Sequence, residues 1–355
     1  MQDNYQIVLG IVGCGDISNV HGNAVLKTGG VRFAACCDLN GERAKKWAET
    51  YACERCYTDY MEMLRNEKLH GIVLATWPNQ HVEQIRNCAE AGIKNILCQK
   101  SLALTGAEAM EIKKIVDEYG IYLMEGFMYR HHPAISKLER LIAAGDTGPV
   151  DNVRAVFSDY DAETESAEDL SRNWRQRKEC GGGIPYDFAC YAVNACGHFS
   201  GGLPVRVYAS GGVSEKYDIV NRLYGHIEYD NGCVGIIESS KKSSFSQELQ
   251  ISCAHSILNL PLSWTVYEEV TVTETRRSEW AKLHHNTYGI EKNDAYTSEM
   301  QNFAGVIRGE ESPQMPLHET IVNIFVIEAL VKSIYEKKII DIELPAELKK
   351  AFKAK

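Results

Sequence analysis

The chain has 355 residues, of which 45% are hydrophobic and 24% are charged, a composition typical of a globular protein. At ~100–200 residues per domain, this length predicts two domains. The formal net charge of -10 and the scattered lysines and arginines exclude the strongly basic face typical of proteins that bind nucleic acids.

The N-terminal stretch MQDNYQIVLG has neither the basic segment nor the apolar core of a signal peptide. No window approaches the ~20 apolar residues that span a bilayer, so we expect a cytoplasmic protein with no membrane partner. The twelve cysteines are expected to be reduced and mostly buried. Cys53 and Cys56 form one CxxC pair without a second pair. Because His131 and His132 also lack partners at ligand spacing, we predict no metal site.

Residues 1–126 alternate between short apolar runs and longer helical stretches. The apolar runs predict strands at Gln6–Val12, Val31–Cys37, Gly71–Ala75, Lys94–Cys98 and Ile121–Met124. The stretches between them predict helices at Gly41–Tyr51, Gln80–Ala91 and Gly106–Glu118. Strands and helices that alternate in this way form βαβ units, so we predict a first domain, residues 1–126, with a parallel sheet.

Residues 127–355 show a different pattern, which predicts a second domain. The stretches VDNVRAVFSDY, VRVYASGGV, RLYGHIEYD and CVGIIESS alternate in part with a period of two, and YDNG between the last two predicts a hairpin turn. Helices are predicted at Ala134–Ala144, Ala295–Arg308 and His318–Lys337. This pattern favours a largely antiparallel sheet with helices.

The stretch GIVGCGDIS places Gly13, Gly15 and Ser18 in the pattern G-x-G-x-x-G/A, with serine at the third position. Gly13 permits a tight turn, and Gly15 lets a pyrophosphate approach the main chain. The helix that opens with Asp16 and Ile17 supplies free N–H groups and the positive end of its dipole. Because the turn follows a predicted strand and opens a helix, we predict that it binds a dinucleotide.

Asp38 ends the second predicted strand, near the spacing of ~20 residues expected of a carboxylate that binds the adenosine ribose. A carboxylate repels a 2′-phosphate, so the sequence favours NAD over NADP. Arg43, Lys45 and Lys46 follow closely and leave NADP open.

Three further stretches, ATWPNQHVEQI, NILCQKSLAL and CGGGIPYDFACYAVN, complete a recognisable combination. With them, the sequence resembles the glucose–fructose oxidoreductase / inositol dehydrogenase / MocA family over nearly its whole length. The resemblance implies an α/β fold: an N-terminal Rossmann domain with a parallel sheet, and a C-terminal α+β domain with a large open, mostly antiparallel sheet. EGFMYRHHP and RNWRQRK are most similar to the branch with dihydrodiol dehydrogenase and xylose dehydrogenase.

The family's Glu-Lys-Pro motif, which supplies its catalytic lysine, reads here as Gln99-Lys100-Ser101. The lysine is kept, and both of its neighbours differ. The family motif Gly-Gly-Gly-x-x-x-Asp-x-Gly-x-His keeps its three glycines and Asp187, but Tyr191 replaces the usual histidine.

We hypothesise that Tyr191 is the general acid/base of an alcohol oxidation. Lys100 would polarise the substrate oxygen and lower the pKa of the Tyr191 hydroxyl. Asp187, four residues before Tyr191 and so on the same helix face, would bind a substrate hydroxyl and pair with Lys100.

Other positions match family segments less specifically. The resemblance implies cofactor contacts for the following residues: Thr76, Trp77, Pro78, His81, Gln99, Lys100, Trp174 and Arg175. It implies that Tyr129 and Arg130 line the substrate pocket.

The sequence thus predicts an NAD(P)-dependent dehydrogenase acting on a secondary alcohol or hemiacetal of a sugar, cyclitol or related diol. Two alternatives stay open: a non-catalytic nucleotide-sensing regulator, and a closed-cycle sugar–sugar oxidoreductase that keeps its nucleotide bound. The resemblance also implies a homodimer or homotetramer, because an open sheet needs its exposed face covered.

Overall fold

The computed structural model describes residues 6–160, 173–264, 268–279 and 282–353. The α-helices within these residues are α1 (Asp16–Lys27), α2 (Gly41–Thr50), α3 (Tyr60–Asn66), α4 (His81–Glu90), α5 (Gly106–Tyr119), α6 (Pro133–Ala143), α7 (Cys190–Ser200), α8 (Ala295–Arg308), α9 (Leu317–Glu336) and α10 (Ala346–Lys353). Of the stretch RNWRQRK, the first residue, Arg172, lies outside the described residues.

The chain divides into two compact units. The first contains residues up to 103, 107–131 and 294–317, and the second contains 104–106, 132–293 and 318 onward. This differs from the expected division after residue 126, because α8 packs with the first unit. Lys27 of α1 forms an ion pair with Asp294, which caps α8, at 2.6 Å. Local sequence pattern predicts that helix but carries no signal for such a distant partner.

The first unit contains a six-stranded parallel sheet in the order β3-β2-β1-β4-β5-β6. Its strands are β1 (Ile7–Val12), β2 (Val31–Cys37), β3 (Arg55–Tyr57), β4 (Gly71–Leu74), β5 (Asn95–Gln99) and β6 (Tyr122–Gly126). The predicted Rossmann-type parallel sheet is confirmed. The short elements β3 and α3 had not been predicted.

The register of this sheet aligns the strand ends that carry the candidate site. Val12 pairs with Cys37 on one side and with Leu74 on the other, and Leu74 pairs with Cys98. The segments that follow β1, β2, β4 and β5 therefore leave the sheet at one edge. In parallel α/β sheets, this carboxyl edge is where ligands bind.

The second unit contains a nine-stranded sheet in the order β14-β13-β12-β11-β7-β10-β9-β8-β15. Its strands are β7 (Val150–Ser158), β8 (Pro204–Val213), β9 (Val220–Tyr229), β10 (Val234–Ser240), β11 (Ser246–Cys253), β12 (Ser256–Pro261), β13 (Val270–Glu279), β14 (Lys282–Ile290) and β15 (Ile340–Asp341). Among the described strands of this second sheet, only β7 and β10 pair in parallel. The large, mostly antiparallel sheet is therefore confirmed.

The YDNG hairpin is also confirmed, and it joins β9 to β10. Strand β9 alternates clearly: Leu223 and Ile227 are fully buried, whereas Tyr224 is 45% exposed. One face of this sheet is covered in part by the almost entirely buried α7, and among the described residues the other face, called the open face below, carries exposed side chains. Along the open face lie exposed apolar side chains: Tyr208, Tyr224, Ile236 and Ile257.

All twelve cysteines are free thiols, and ten of them are buried, as expected. Cys56 is exposed and Cys253 is half-buried. Within the described residues, no helix combines the length and apolar character needed to cross a bilayer.

Glu299 of α8 is a fully buried carboxyl group. Neither of its oxygens has a hydrogen-bond partner in the described part of the chain. Burial raises the pKa of Glu299 to about 8, because desolvation disfavours the charged form. The folded protein therefore keeps this group protonated at pH values where the unfolded chain ionises it.

We predict that Glu299 lowers the free energy of unfolding as the pH rises from about 4.5 to about 8. The folded state binds more protons than the unfolded state in this window, so the slope from this residue is negative, at most ~1.4 kcal/mol per pH unit. Urea denaturation of wild type and Glu299→Gln across this range should show a flatter profile for the variant. The exposed Glu291→Gln serves as the control and should keep the wild-type profile; an unchanged slope in Glu299→Gln would contradict the prediction.

Candidate functional site

The turn after β1 needs glycine at its first position. Gly13 has φ +91°, in the left-handed region, and a Cβ there would lie 2.5 Å from the carbonyl oxygen of Ala75. The Gly13 N–H donates to the carbonyl of Cys37 at 2.8 Å. The turn is thus held against the ends of both β2 and β4.

The next glycine is not required by packing within the protein. Gly15 precedes α1 without a side-chain capping bond, and a Cβ added to it would meet no atom within 4 Å. Asp16 and Ile17 begin the helix, whose first N–H groups have no partner within it. Ser18 is fully buried and its hydroxyl donates to the Gly15 carbonyl at 2.5 Å. Open space before a helix N-terminus fits the pyrophosphate of NAD(P).

Asp38 is fixed at the end of β2 by two main-chain donors. The Cys14 N–H donates to Oδ2 at 2.9 Å, and the Asn40 N–H donates to Oδ1 at 2.8 Å. The Arg43 guanidinium lies 3.4 Å from Oδ2, and its side chain is 47% exposed. The carboxylate therefore ties the glycine turn to β2 and keeps lone pairs for ribose hydroxyls. Arg43 stands beside it, where a 2′-phosphate would need a cation.

His81 connects the segments that follow β4 and β5. It begins α4 and has no exposed surface. Its Nδ1 lies 3.1 Å from the carbonyls of Ser101 and Leu102, and its Nε2 lies 3.3 Å from that of Thr76. Burial lowers the pKa of His81 to about 4, so the ring is neutral near pH 7. The enclosed ring of His81 positions these two segments, and its contact with the cofactor stays a prediction.

The segment Thr76–Pro78 follows β4 at the same sheet edge. The Thr76 hydroxyl donates to Gln84 Oε1 at 2.5 Å, which ties the segment to α4. Trp77 is half-buried, whereas Pro78 is buried and starts a short 3₁₀ turn. Of the three, Thr76 and Trp77 retain surface for the predicted cofactor contacts.

Lys100 follows β5 directly, and its side chain is half-buried. The peptide between Lys100 and Ser101 is cis. Gln99 is buried, and its amide Nε2 lies 2.7 Å from Nε2 of His21 on α1. Gln99 therefore anchors the end of β5 to α1, and Lys100 projects from this anchored position.

Tyr129 and Arg130 lie in a short 3₁₀ helix of the first unit, Met128–His131. Tyr129 has no exposed surface, and Arg130 is 5% exposed. The Arg130 guanidinium donates to the carbonyl of Gln314 at 3.3 Å. That these two residues line the substrate pocket stays a prediction.

The three consecutive glycines of the second unit allow two stretches of main chain to pack together. A Cβ on Gly182 would lie 2.7 Å from the main-chain N and O of Arg177. The Gly183 N–H donates to the carbonyl of Arg175 at 2.9 Å. Trp174 and Arg175 lie in the short 3₁₀ turn held there, with the guanidinium 5.2 Å from the Trp174 ring.

Asp187 is a buried carboxylate that contacts two cations of its own unit. Arg175 Nε donates to Oδ2 at 2.9 Å, and Lys241 Nζ donates to the same oxygen at 3.1 Å. The Asp187 side chain is 2% exposed, and that of Lys241 is 8% exposed. The sequence had predicted a pairing with Lys100, a residue of the other unit. That pairing stays a prediction, and within its own unit the charge partners of Asp187 include Arg175 and Lys241.

Tyr191 lies in the first turn of α7 and is 5% exposed. Its ring centroid is 5.5 Å from that of Phe157 and 5.9 Å from that of Trp264. Phe188 stacks on Phe157 at 4.3 Å. Tyr191 therefore belongs to a wall of aromatic rings in the same unit as Asp187. Such walls beside polar groups are typical of small-molecule sites.

Lys241 is the residue of this cluster that sequence reasoning missed. It follows β10 in the stretch ESSKKSS, where two adjacent lysines look like an ordinary solvated turn. Only the tertiary structure separates the buried Lys241 from the exposed Lys242. Among the described residues, no group of three or more potential metal ligands is present.

Comparison with known proteins covers both units. Residues 7–127 match the family model described as an oxidoreductase family with an NAD-binding Rossmann fold, and residues 135–258 match the GFO/IDH/MocA C-terminal domain. A D-xylose 1-dehydrogenase (NADP(+)) of Haloferax volcanii is 26% identical over 300 residues, covering 84% of this chain and 89% of that relative. A scyllo-inositol 2-dehydrogenase (NAD(+)) of Bacillus subtilis is 23% identical over 326 residues, covering 90% and 92%.

A solved structure described as levoglucosan dehydrogenase in complex with NADH has the same fold. Its TM-score is 0.85 at 19% identity, and the match covers 96% of this chain and 100% of that chain. The likeness to the family inferred from the motifs is therefore confirmed over most of the sequence.

We predict that Asp38→Asn shifts the nucleotide preference towards NADPH. The amide oxygen can still accept from the Cys14 N–H, but the charge that repels a 2′-phosphate is gone. The ratio of Kd for NADPH to Kd for NADH should fall by about tenfold or more, the size expected for one charged hydrogen bond. Nucleotide fluorescence measures both constants without a substrate. The exposed Glu42→Gln is the control. An unchanged ratio of the two Kd values in Asp38→Asn would show that Asp38 does not discriminate between the two nucleotides.

Proposed function

The chain belongs to the GFO/IDH/MocA family of NAD(P)-dependent oxidoreductases, and from this premise we propose that its substrate is a sugar, cyclitol or related diol. A hydride passes between the nicotinamide and a secondary alcohol or hemiacetal carbon. The main support for this substrate class is the buried carboxylate of Asp187. Arg175 and Lys241 compensate its negative charge, and an aromatic wall lies beside it. A carboxylate and cations bind hydroxyl groups, and ring faces pack against the C–H surfaces of a sugar. The relatives named for xylose and inositol support this class.

We propose distinct roles for three residues in the proton transfer. Lys100, projecting after the anchored end of β5, polarises the reacting oxygen. Tyr191 takes the hydroxyl proton during oxidation and returns it during reduction. Asp187 accepts a hydrogen bond from a substrate hydroxyl and thereby orients the carbon that loses hydride. When bound, NAD(P) supplies the hydride acceptor, and all other chemistry falls to these side chains.

NAD is the proposed preferred cofactor, because Asp38 faces the position expected for the ribose. Because the Arg43 cation lies beside Asp38, NADP can also bind, and we propose that NAD binds more tightly rather than exclusively. The twelve free thiols support a cytoplasmic location, where thiols stay reduced.

We expect Lys100→Ala to abolish turnover. Removing a group that polarises the reacting oxygen should lower kcat by roughly 10²–10⁴-fold. The measurement is absorbance of reduced nicotinamide with a panel of aldoses, inositols and diols, using NAD and NADP. The exposed Lys114→Ala is the matched control.

Full activity in Lys100→Ala would refute the proposed mechanism. Absence of turnover by wild type with every substrate would refute the proposed dehydrogenase activity. The nucleotide content of the denatured protein would then separate the alternatives: stoichiometric nucleotide indicates a closed-cycle oxidoreductase, and none indicates a regulator.

We also propose that the open sheet face of the second unit pairs two copies of the chain. Tyr208, His226 and Ile236 stand opposite one another on β8, β9 and β10, and two of them are exposed apolar side chains. Contiguous exposed apolar side chains on a sheet face mark interfaces more often than solvent surface.

The double variant Tyr208→Asp/Ile236→Asp should therefore dissociate a homodimer or homotetramer. Two buried carboxylates facing their symmetry mates repel each other and lose solvation. Light scattering after gel filtration should give two or four times 39.8 kDa for wild type and a lower multiple for the variant. Leu39→Asp, at a residue that is 90% exposed in the first unit, is the control. A monomeric wild type would exclude the proposed assembly.

A further inference from the structure

Lys241 is a buried lysine in a position fixed by the main chain. It directly follows β10, and its N–H donates to the carbonyl of Asn221 at 3.0 Å. The side chain is 8% exposed. A lysine is rarely buried to this extent unless its charge and its donors have partners.

The ammonium group of Lys241 has more donors than the described residues satisfy. It carries three N–H bonds. In the described part of the chain, one of them reaches an acceptor, Asp187 Oδ2 at 3.1 Å. The Phe188 ring, 5.3 Å from Nζ, interacts with the charge but replaces no hydrogen bond. Two donors are left in a nearly enclosed place.

The acceptor of Lys241 is itself shared. Arg175 Nε also donates to Asp187 Oδ2, at 2.9 Å, so one carboxylate oxygen contacts two cations. The local charge of these three side chains is positive by one unit. A further oxygen acceptor at Nζ would lower the desolvation cost of this arrangement.

The pair offers complementary groups at short separation. The carboxylate of Asp187 can only accept hydrogen bonds, whereas the ammonium of Lys241 can only donate them. Each hydroxyl of a vicinal diol both donates and accepts. One hydroxyl can therefore donate to Asp187 while its neighbour accepts from Lys241.

We propose that Lys241 is a specificity-determining residue that binds the substrate hydroxyl adjacent to the one held by Asp187. The inference rests on the proposed polyol substrate class and adds a residue to it. Lys241 and Asp187 together select a vicinal diol and orient it against the aromatic wall of Phe188 and Tyr191.

The test measures binding rather than turnover. Isothermal titration of NADH-saturated protein with D-xylose, with myo-inositol and with monodeoxy analogues of the tighter-binding of the two gives the Kd of each. Lys241→Met keeps the length of the side chain and removes its donors, and it should raise the Kd of the intact polyol roughly 10- to 100-fold. Lys241→Arg should recover part of this loss. Lys242→Met, the same change at the neighbouring exposed lysine, should bind like wild type.

The deoxy analogues separate a direct contact from a structural effect. For the analogue that lacks the hydroxyl bound by Lys241, wild type and Lys241→Met should have equal Kd values, because the contact is already absent. The Kd for NADH should be the same in every variant, which verifies that each one folds.

Three outcomes would overturn the inference: wild type that binds neither polyol, Lys241→Met that binds as wild type does, or an equal loss with the intact polyol and all deoxy analogues. Polyol binding that depends on Lys241 without any nucleotide reduction would support the inference and refute the proposed activity. The two proposals therefore fail separately.

Discussion

The parallel order of the six-stranded sheet is the constraint on which the nucleotide side of the site depends. It aligns the ends of β1, β2, β4 and β5, so Gly13, Asp38, Thr76 and Lys100 leave the sheet at one edge. Hydrogen bonds then hold these segments together. Asp38 binds the main chain of the glycine turn. The buried ring of His81 lies 3.1–3.3 Å from carbonyls after both β4 and β5, and when neutral it donates from one of its two nitrogens. The residues predicted to bind the cofactor and the predicted catalytic lysine therefore share one edge of the sheet.

In the second unit, the candidate site depends on charge compensation around Asp187 rather than on the order of the strands. Asp187 would be costly to bury alone, and Arg175 and Lys241 offset that cost at the same oxygen. The glycine run helps to place Arg175 there: Gly182 lies close to the main chain of Arg177, and the Gly183 N–H donates to the carbonyl of Arg175. The glycine motif of the second unit, which resembles a catalytic signature in the sequence, therefore also allows close main-chain packing.

The sequence predicted much of the fold, because strands, helices and the glycine turn leave local patterns. Strand β2 and helix α8 have the predicted bounds, and the hairpin at YDNG forms. The assignment of α8 to the first unit was not predictable, since Lys27 and Asp294 are 267 residues apart. Buried polar residues were the main difficulty. His81 and Arg130 matched family positions but are enclosed, and Lys241 matched no motif although it contacts Asp187.

The bond between Asp38 and the Cys14 N–H has a consequence for how this protein can evolve. One carboxylate shapes the glycine turn and is also the group predicted to bind the ribose. A substitution of Asp38 that allows a phosphorylated ribose to bind also removes the acceptor of the Cys14 N–H, unless the new side chain supplies another acceptor. Exchange of cofactors is thus constrained at position 38 itself: the new side chain must accept from the main-chain N–H of residue 14, or that donor loses its partner.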